Sequence, residues 1–229
     1  MKYVVFIAIV ILLIMTSCDT RTSEEGSLLE YEKSFKEQSD NHFNEYLDST
    51  TNIYSNFKYH VAFDAPDRWS TDAGLSEHTI FRAYQPDSNL VFSINVIELN
   101  IQRSIHKETP DIWKMYQSNK EQMDYPFVTL IEKQFQTTVT NHKVSKSYIR
   151  GNPAIKRFLR YNERHLDYEV NMTSISYQTL VNNLTFTFTL NIPTLYYQMN
   201  QEYYGNIFLN ISFLKDTETL NKLMNKSLK

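Results

Sequence analysis

A single cysteine stands in 229 residues, at position 18. One thiol cannot make an internal disulfide, so the fold rests on packing alone. Glycines number four, too few for the turns that cradle nucleotide phosphates. Neither GxGxxG nor GxxxxGK[ST] occurs. The GxSxG elbow of serine hydrolases is missing too. The histidines are His42, His60, His78, His106, His142 and His165. No two are three to five residues apart and HExxH is absent, so a metal site could assemble only across strands, from His60, His142 or His165. Scattered rings are the preferred reading, and no metal or cofactor is expected. Excess positive charge is lacking as well. Lys and Arg total 23 against 26 Asp and Glu, a net −3, which argues against a nucleic-acid partner.

One long apolar run is present. Residues 3–15, YVVFIAIVILLIM, follow Lys2 and precede Thr16, Ser17 and Cys18. The run is short of the roughly 20 residues that span a bilayer core. A charged start, a short apolar core and small residues describe a secretory leader. The segment ending in Cys18 resembles the lipobox of bacterial lipoproteins, with Met15 where leucine is usual. That resemblance implies cleavage before Cys18 and acylation of its thiol. Two or three acyl chains would hold the protein durably on a membrane of the bacterial envelope. Removal of Lys2 takes the net charge from −3 to −4.

The remaining composition is that of a globular domain, 41% hydrophobic and 21% charged, with 16 Tyr and 14 Phe. Acidic residues crowd the segment from Asp19 to Asp48, and basic ones the segment from Lys143 to Arg164. Solvated faces are the simpler reading. The alternative is that the basic segment meets an anionic partner or lipid headgroups.

The pattern along the chain predicts a leader over 1–17, a tether over 18–26, a helix over 27–48, a domain over 52–215 and a tail over 216–229. NFKYHVAF, residues 56–63, alternates as one strand. Pro66 and Asp67 make a turn, and Trp69 returns to the core. Strands are expected over 79–84 and 90–99. Thr109 and Pro110 start a helix that ends before Pro126. Further strands are expected over 129–138, 143–149, 154–162 and 167–176, with Gly151 at a turn. LTFTFTLNI, residues 184–192, alternates most cleanly.

Several anchors share one order: PDRW at 66–69, a Val/Ile-rich strand, a helix, SYIRGNPA at 147–154, a long antiparallel run, a proline, and Phe208 to Phe213. This order resembles the PsbP/Mog1-like family over about residues 52–215. The resemblance implies an α+β fold, an antiparallel β-sheet sandwiched between helices, with a helix from Gln198 to Phe213. It also implies a binding or accessory role rather than catalysis.

YYQMNQEYYG places Tyr196, Tyr197, Tyr203 and Tyr204 together. Tyrosine combines apolar area with a hydroxyl and is rich at interfaces. These four are the candidate binding residues, and Cys18 is the candidate lipid-attachment site. No catalytic residue is assigned. Asp64 and Asp67 flank a turn and read as turn chemistry. The expected function is a membrane-tethered, non-catalytic accessory module with a protein partner in the envelope. The alternative is a small-ligand or lipid carrier with an apolar pocket between sheet and helix.

Overall fold

Period-two patterning dominates the chain, and strands dominate the structure. A computed structural model describes residues 45–214, apart from 49, 77, 87, 99–110 and 166. The leader, Cys18, the tether, Thr109, Pro110, the tail and most of the helix expected over 27–48 lie outside the described residues.

Four short strands form a small sheet: β1 (Glu45–Asp48), β2 (Ile53–Asn56), β3 (Val61–Asp64) and β11 (Ile211–Phe213), in the order β1-β2-β3-β11. Seven strands form a larger one: β4 (Ser70–Ala73), β5 (Thr79–Gln85), β6 (Leu90–Glu98), β7 (Asn141–Ile149), β8 (Asn152–Arg164), β9 (Glu169–Val181) and β10 (Leu184–Pro193). Its order is β4-β5-β6-β10-β9-β8-β7. Every pairing is antiparallel. Helices α1 (Ile112–Ser118), α2 (Lys120–Gln134), α3 (Thr194–Met199) and α4 (Gln201–Asn206) complete the described elements, with a 3-10 turn at Ile207–Asn210. The class is α+β, as the resemblance implies.

The alternation of LTFTFTLNI decides the layers. Phe186, Phe188, Leu190 and Ile192 are fully buried on one face of β10. Across from them the small sheet presents Tyr54, Phe63 and Phe213. Phe63 stacks on Phe92 at 4.2 Å, Tyr54 on Phe81 at 4.5 Å, and Phe213 meets the edge of Phe186 at 5.2 Å. Each such ring contributes about 1.5–3 kcal/mol by leaving water. Trp69 is buried here too, as expected. On the other face, α1 and α2 cover β8 and β9. Ile112, Tyr116 and Met123 pack on Ile155 and Leu180, while Ile131 packs with Leu159, Tyr161 and Met172.

Local expectations fail in five places. NFKYHVAF is not one strand: Asn56 pairs with Val61 across a tight turn in which His60 takes φ 54°. The Asn56 side chain accepts a hydrogen bond from the Tyr59 amide at 2.9 Å, fixing that turn. Helix α2 continues through Pro126 to Gln134, over residues expected to end a helix and begin a strand. The carbonyl deprived of its donor there belongs to Gln122, which is exposed to water. Packing of Met123, Phe127, Ile131 and Phe135 at four-residue spacing outweighs the loss. The cap of α1 is Asp111, not Thr109; its carboxylate accepts from the Trp113 amide at 2.9 Å. The helix implied over Gln198–Phe213 is instead α4, the 3-10 turn and strand β11. Asn200 breaks it from α3, accepting from the Tyr203 amide at 3.1 Å. Glu45–Asp48, expected within the first helix, is a strand because it pairs with β2.

Candidate functional site

The four tyrosines lie on α3 and α4, just after β10 ends at Pro193. The Thr194 and Thr173 hydroxyls, 3.0 Å apart, tie the start of α3 to β9. The tyrosines divide two and two. Tyr197 turns inward, its ring 5.7 Å from Phe158 of β8, and Tyr204 packs on the core. Burial, then the neighbouring Tyr203 and Tyr196 phenols, raise the Tyr204 hydroxyl pKa. Tyr196 and Tyr203 turn outward, each 43% exposed. Leu195 at 64% and Met199 at 75% stand beside them, and Leu209 of the 3-10 turn is exposed as well. No residue of α3 or α4 is fully buried. The pair forms a ridge of apolar knobs on a polar chain.

Beside the ridge runs a cationic strip. Strand register places Lys143 opposite Phe158, Lys156 opposite Tyr177 and Arg160 opposite Thr173. All three therefore share the face on which Tyr197 meets Phe158. The Lys156 ammonium sits 5.3 Å over the Tyr177 ring, and the Arg160 guanidinium 5.4 Å over Phe158. The Arg160 Nε is buried without a hydrogen-bond partner. Among the described residues, none of the three cations makes an ion pair. On this face of β7 to β10 the one carboxylate is Glu169, held by Arg164 at 2.8 Å. Glu202 is the one carboxylate on α3 and α4.

The basic segment is thus not one solvated face. Two-residue alternation splits it, and Arg157 goes inward. Its Nε donates to Asp124 at 3.0 Å, its Nη1 to Gln178 at 3.0 Å, and its plane lies 4.1 Å over Phe127. Burial works to lower the guanidinium pKa, while Asp124 opposes it. The Tyr116 hydroxyl donates to the same carboxylate at 2.7 Å. Burial, with that bond, pushes its pKa up to about 12. This cluster is enclosed beneath α1 and α2 and serves to hold them.

One carboxylate does meet a histidine. Glu163 lies 3.4 Å from His165, whose ring stacks on Tyr168 at 4.5 Å and approaches Asn89 at 3.4 Å. Burial raises the Glu163 pKa, and His165 works against the rise. Among the described residues no serine bonds to His165. His60 and His142 lie on other elements, and no three described His, Cys, Asp or Glu side chains group to hold a metal. Asp64 ends β3 and Asp67 sits in the following turn. The apolar positions of the Phe/Thr strand, which would line a carrier's pocket, are packed against the small sheet. On the reverse of that strand Thr185 and Thr187 are buried as well, and near them the Ser176 hydroxyl has no partner.

Sequence reasoning named the tyrosines but missed Leu195, Met199 and the cations beside them. Strand parity could have found the latter, since Lys156, Phe158 and Arg160 alternate with buried Ile155, Arg157 and Leu159. Among the described residues no helix is long and apolar enough to cross a membrane.

Comparison with known proteins closes the description. No family model and no curated protein matches the sequence. In backbone the chain is similar to the cyanobacterial PsbP (CyanoP) of Synechocystis, with 13% identity and a TM-score of 0.47 over 70% of this chain and 91% of that one. A Bacteroides thetaiotaomicron protein aligns with 16% identity and a TM-score of 0.35, over 58% of this chain and 38% of that one. PA94 of Pseudomonas aeruginosa, a putative regulator of unknown function, aligns with 12% identity and a TM-score of 0.28, over 63% of this chain and 85% of that one. The antiparallel α+β architecture itself follows from the strand pairing and helices described above.

Proposed function

We propose that the chain is a lipid-anchored, non-catalytic binding module of a bacterial envelope. Acyl chains on Cys18 hold it to a membrane, and the α3–α4 ridge recognises another envelope component. The observation that carries this reading is the ridge itself. Leu195 and Met199 are 64% and 75% exposed on a chain whose other large apolar groups mostly pack inward. Contiguous apolar exposure of this kind marks interaction surfaces. The leader and its single cysteine supply the address.

Mass measurement of the mature chain from the membrane fraction tests the anchor. An N-terminal Cys18 carrying two or three acyl chains is expected, and Cys18→Ser releases the protein from the membrane. A native chain free in the medium with an unmodified thiol overturns the reading. So does turnover of any substrate that stops when Glu163 or His165 alone is replaced.

A further inference from the structure

An anchor fixes where a domain is, not which side of it faces the membrane. Residues 19–44 separate Cys18 from Glu45, the first described residue, so an attachment at Cys18 prescribes no face of the domain. Surface chemistry therefore selects the face. We infer that the α3–α4 ridge and the Lys143–Lys156–Arg160 strip together form a docking face for an anionic lipid surface, on which the domain lies flat. The inference rests on the reading above for the anchor and for the use of the ridge.

Three observations favour a bilayer as the occupant. First, the ridge offers projecting apolar knobs. Leu195, Tyr196, Met199 and Tyr203 project outward from two short helices that bury no residue completely. Projecting leucine, methionine and tyrosine suit the boundary between headgroups and acyl chains, where tyrosine is enriched. Second, the charges beside the ridge are complementary to anionic headgroups. The protein is acidic overall, with net −3, yet this face gathers Lys143, Lys156 and Arg160 with no described ion pair. Third, the two strip cations on β8 lie over aromatic rings, Lys156 over Tyr177 and Arg160 over Phe158. Apolar and cationic groups are thereby held side by side, as an amphipathic interfacial element requires.

The test uses the processed full chain, carrying Leu195→Cys, reconstituted in vesicles. With Cys18 acylated, the new thiol is the single site for an environment-sensitive dye, and mass measurement confirms one label. Flotation on phosphatidylcholine vesicles reports the anchor independently of docking. On phosphatidylglycerol-containing vesicles the dye is expected to shift to the blue and to be quenched by brominated lipid. On phosphatidylcholine alone it stays aqueous, and added salt reverses the effect. A dye at Tyr148→Cys, exposed on the opposite face of β7, stays aqueous throughout. Lys143→Glu and Lys156→Glu each weaken docking at least about five-fold, the share of one cation near an anionic surface. Lys146→Glu, the same charge change on the opposite face, leaves it intact. Flotation with an aqueous dye at 195 on both vesicles overturns the docking and spares the anchor, whereas failure to float or a second label overturns the anchor. Shielding of position 195 in whole envelopes but not on anionic vesicles assigns the ridge to a protein partner and overturns the inference.

Discussion

Arg157 is the largest fully buried side chain among the described residues, and its cost in desolvation is met by Asp124, Gln178 and the face of Phe127. Removing it leaves a carboxylate and an amide short of partners beneath α2. Arg157→Ala is therefore expected to lower the unfolding free energy by about 3–5 kcal/mol in urea. The pair Arg157→Met with Asp124→Leu, which removes both charges, recovers most of that loss. Glu163 gives a pH signature. Its pKa is raised by burial, so its ionised form is disfavoured in the folded state. Its contribution to stability is present below the unfolded-state pKa and lost as pH rises through the folded-state one. Glu163→Gln is expected to raise the melting temperature at neutral pH and to converge with the parent in acid, near about pH 4. Equal shifts at both pH values would refute that assignment. Neither role is visible in the residue letters. Seven basic residues between Lys143 and Arg164 look alike in sequence, and only strand parity sends one inward.

At the level of elements, turns explain what could be read and what could not. Arg150 and Gly151 take φ 48° and 80° between β7 and β8, and Asn182 and Asn183 take 51° and 64° between β9 and β10. Both are hairpin turns with two left-handed residues. The first announces itself through glycine. The second carries two asparagines instead, and β9 consequently runs five residues past its expected end at Ser176, to Val181. Gly151→Ala would meet no atom within 4 Å of the new Cβ, so its cost is backbone strain alone. A loss of about 1 kcal/mol is expected in thermal unfolding. The central strand was legible because its alternation is strict. Phe188→Ala there is expected to cost about 3–5 kcal/mol, by the same measurement. Helix α2 was not legible past Pro126, since its support comes from Leu159, Tyr161 and Met172, far away in the chain. The candidate site was half legible for the same reason: four tyrosines are adjacent in sequence, whereas the cations beside them reach the site only through pairing of β7, β8 and β9.

At the scale of the molecule, the packed core and the exposed ridge occupy different layers. The space between the two sheets is filled by aromatic rings, while the ridge stands outside it. Met199→Ser and Leu195→Ser should accordingly change stability by no more than about 0.5 kcal/mol. The smaller sheet has a further consequence. Its strand β11, Ile211–Phe213, pairs with β3, Val61–Asp64, and supplies Phe213 to the rings of Phe186 and Phe188. The seam between the layers cannot be sealed until nearly the last described residues have left the ribosome. Until Ile211–Phe213 are in place, β3 has no partner on that side and the rings of Phe186 and Phe188 lack Phe213. Proofreading follows from the same seam, because a product cut short before Ile211 presents a raw β3 border to proteases.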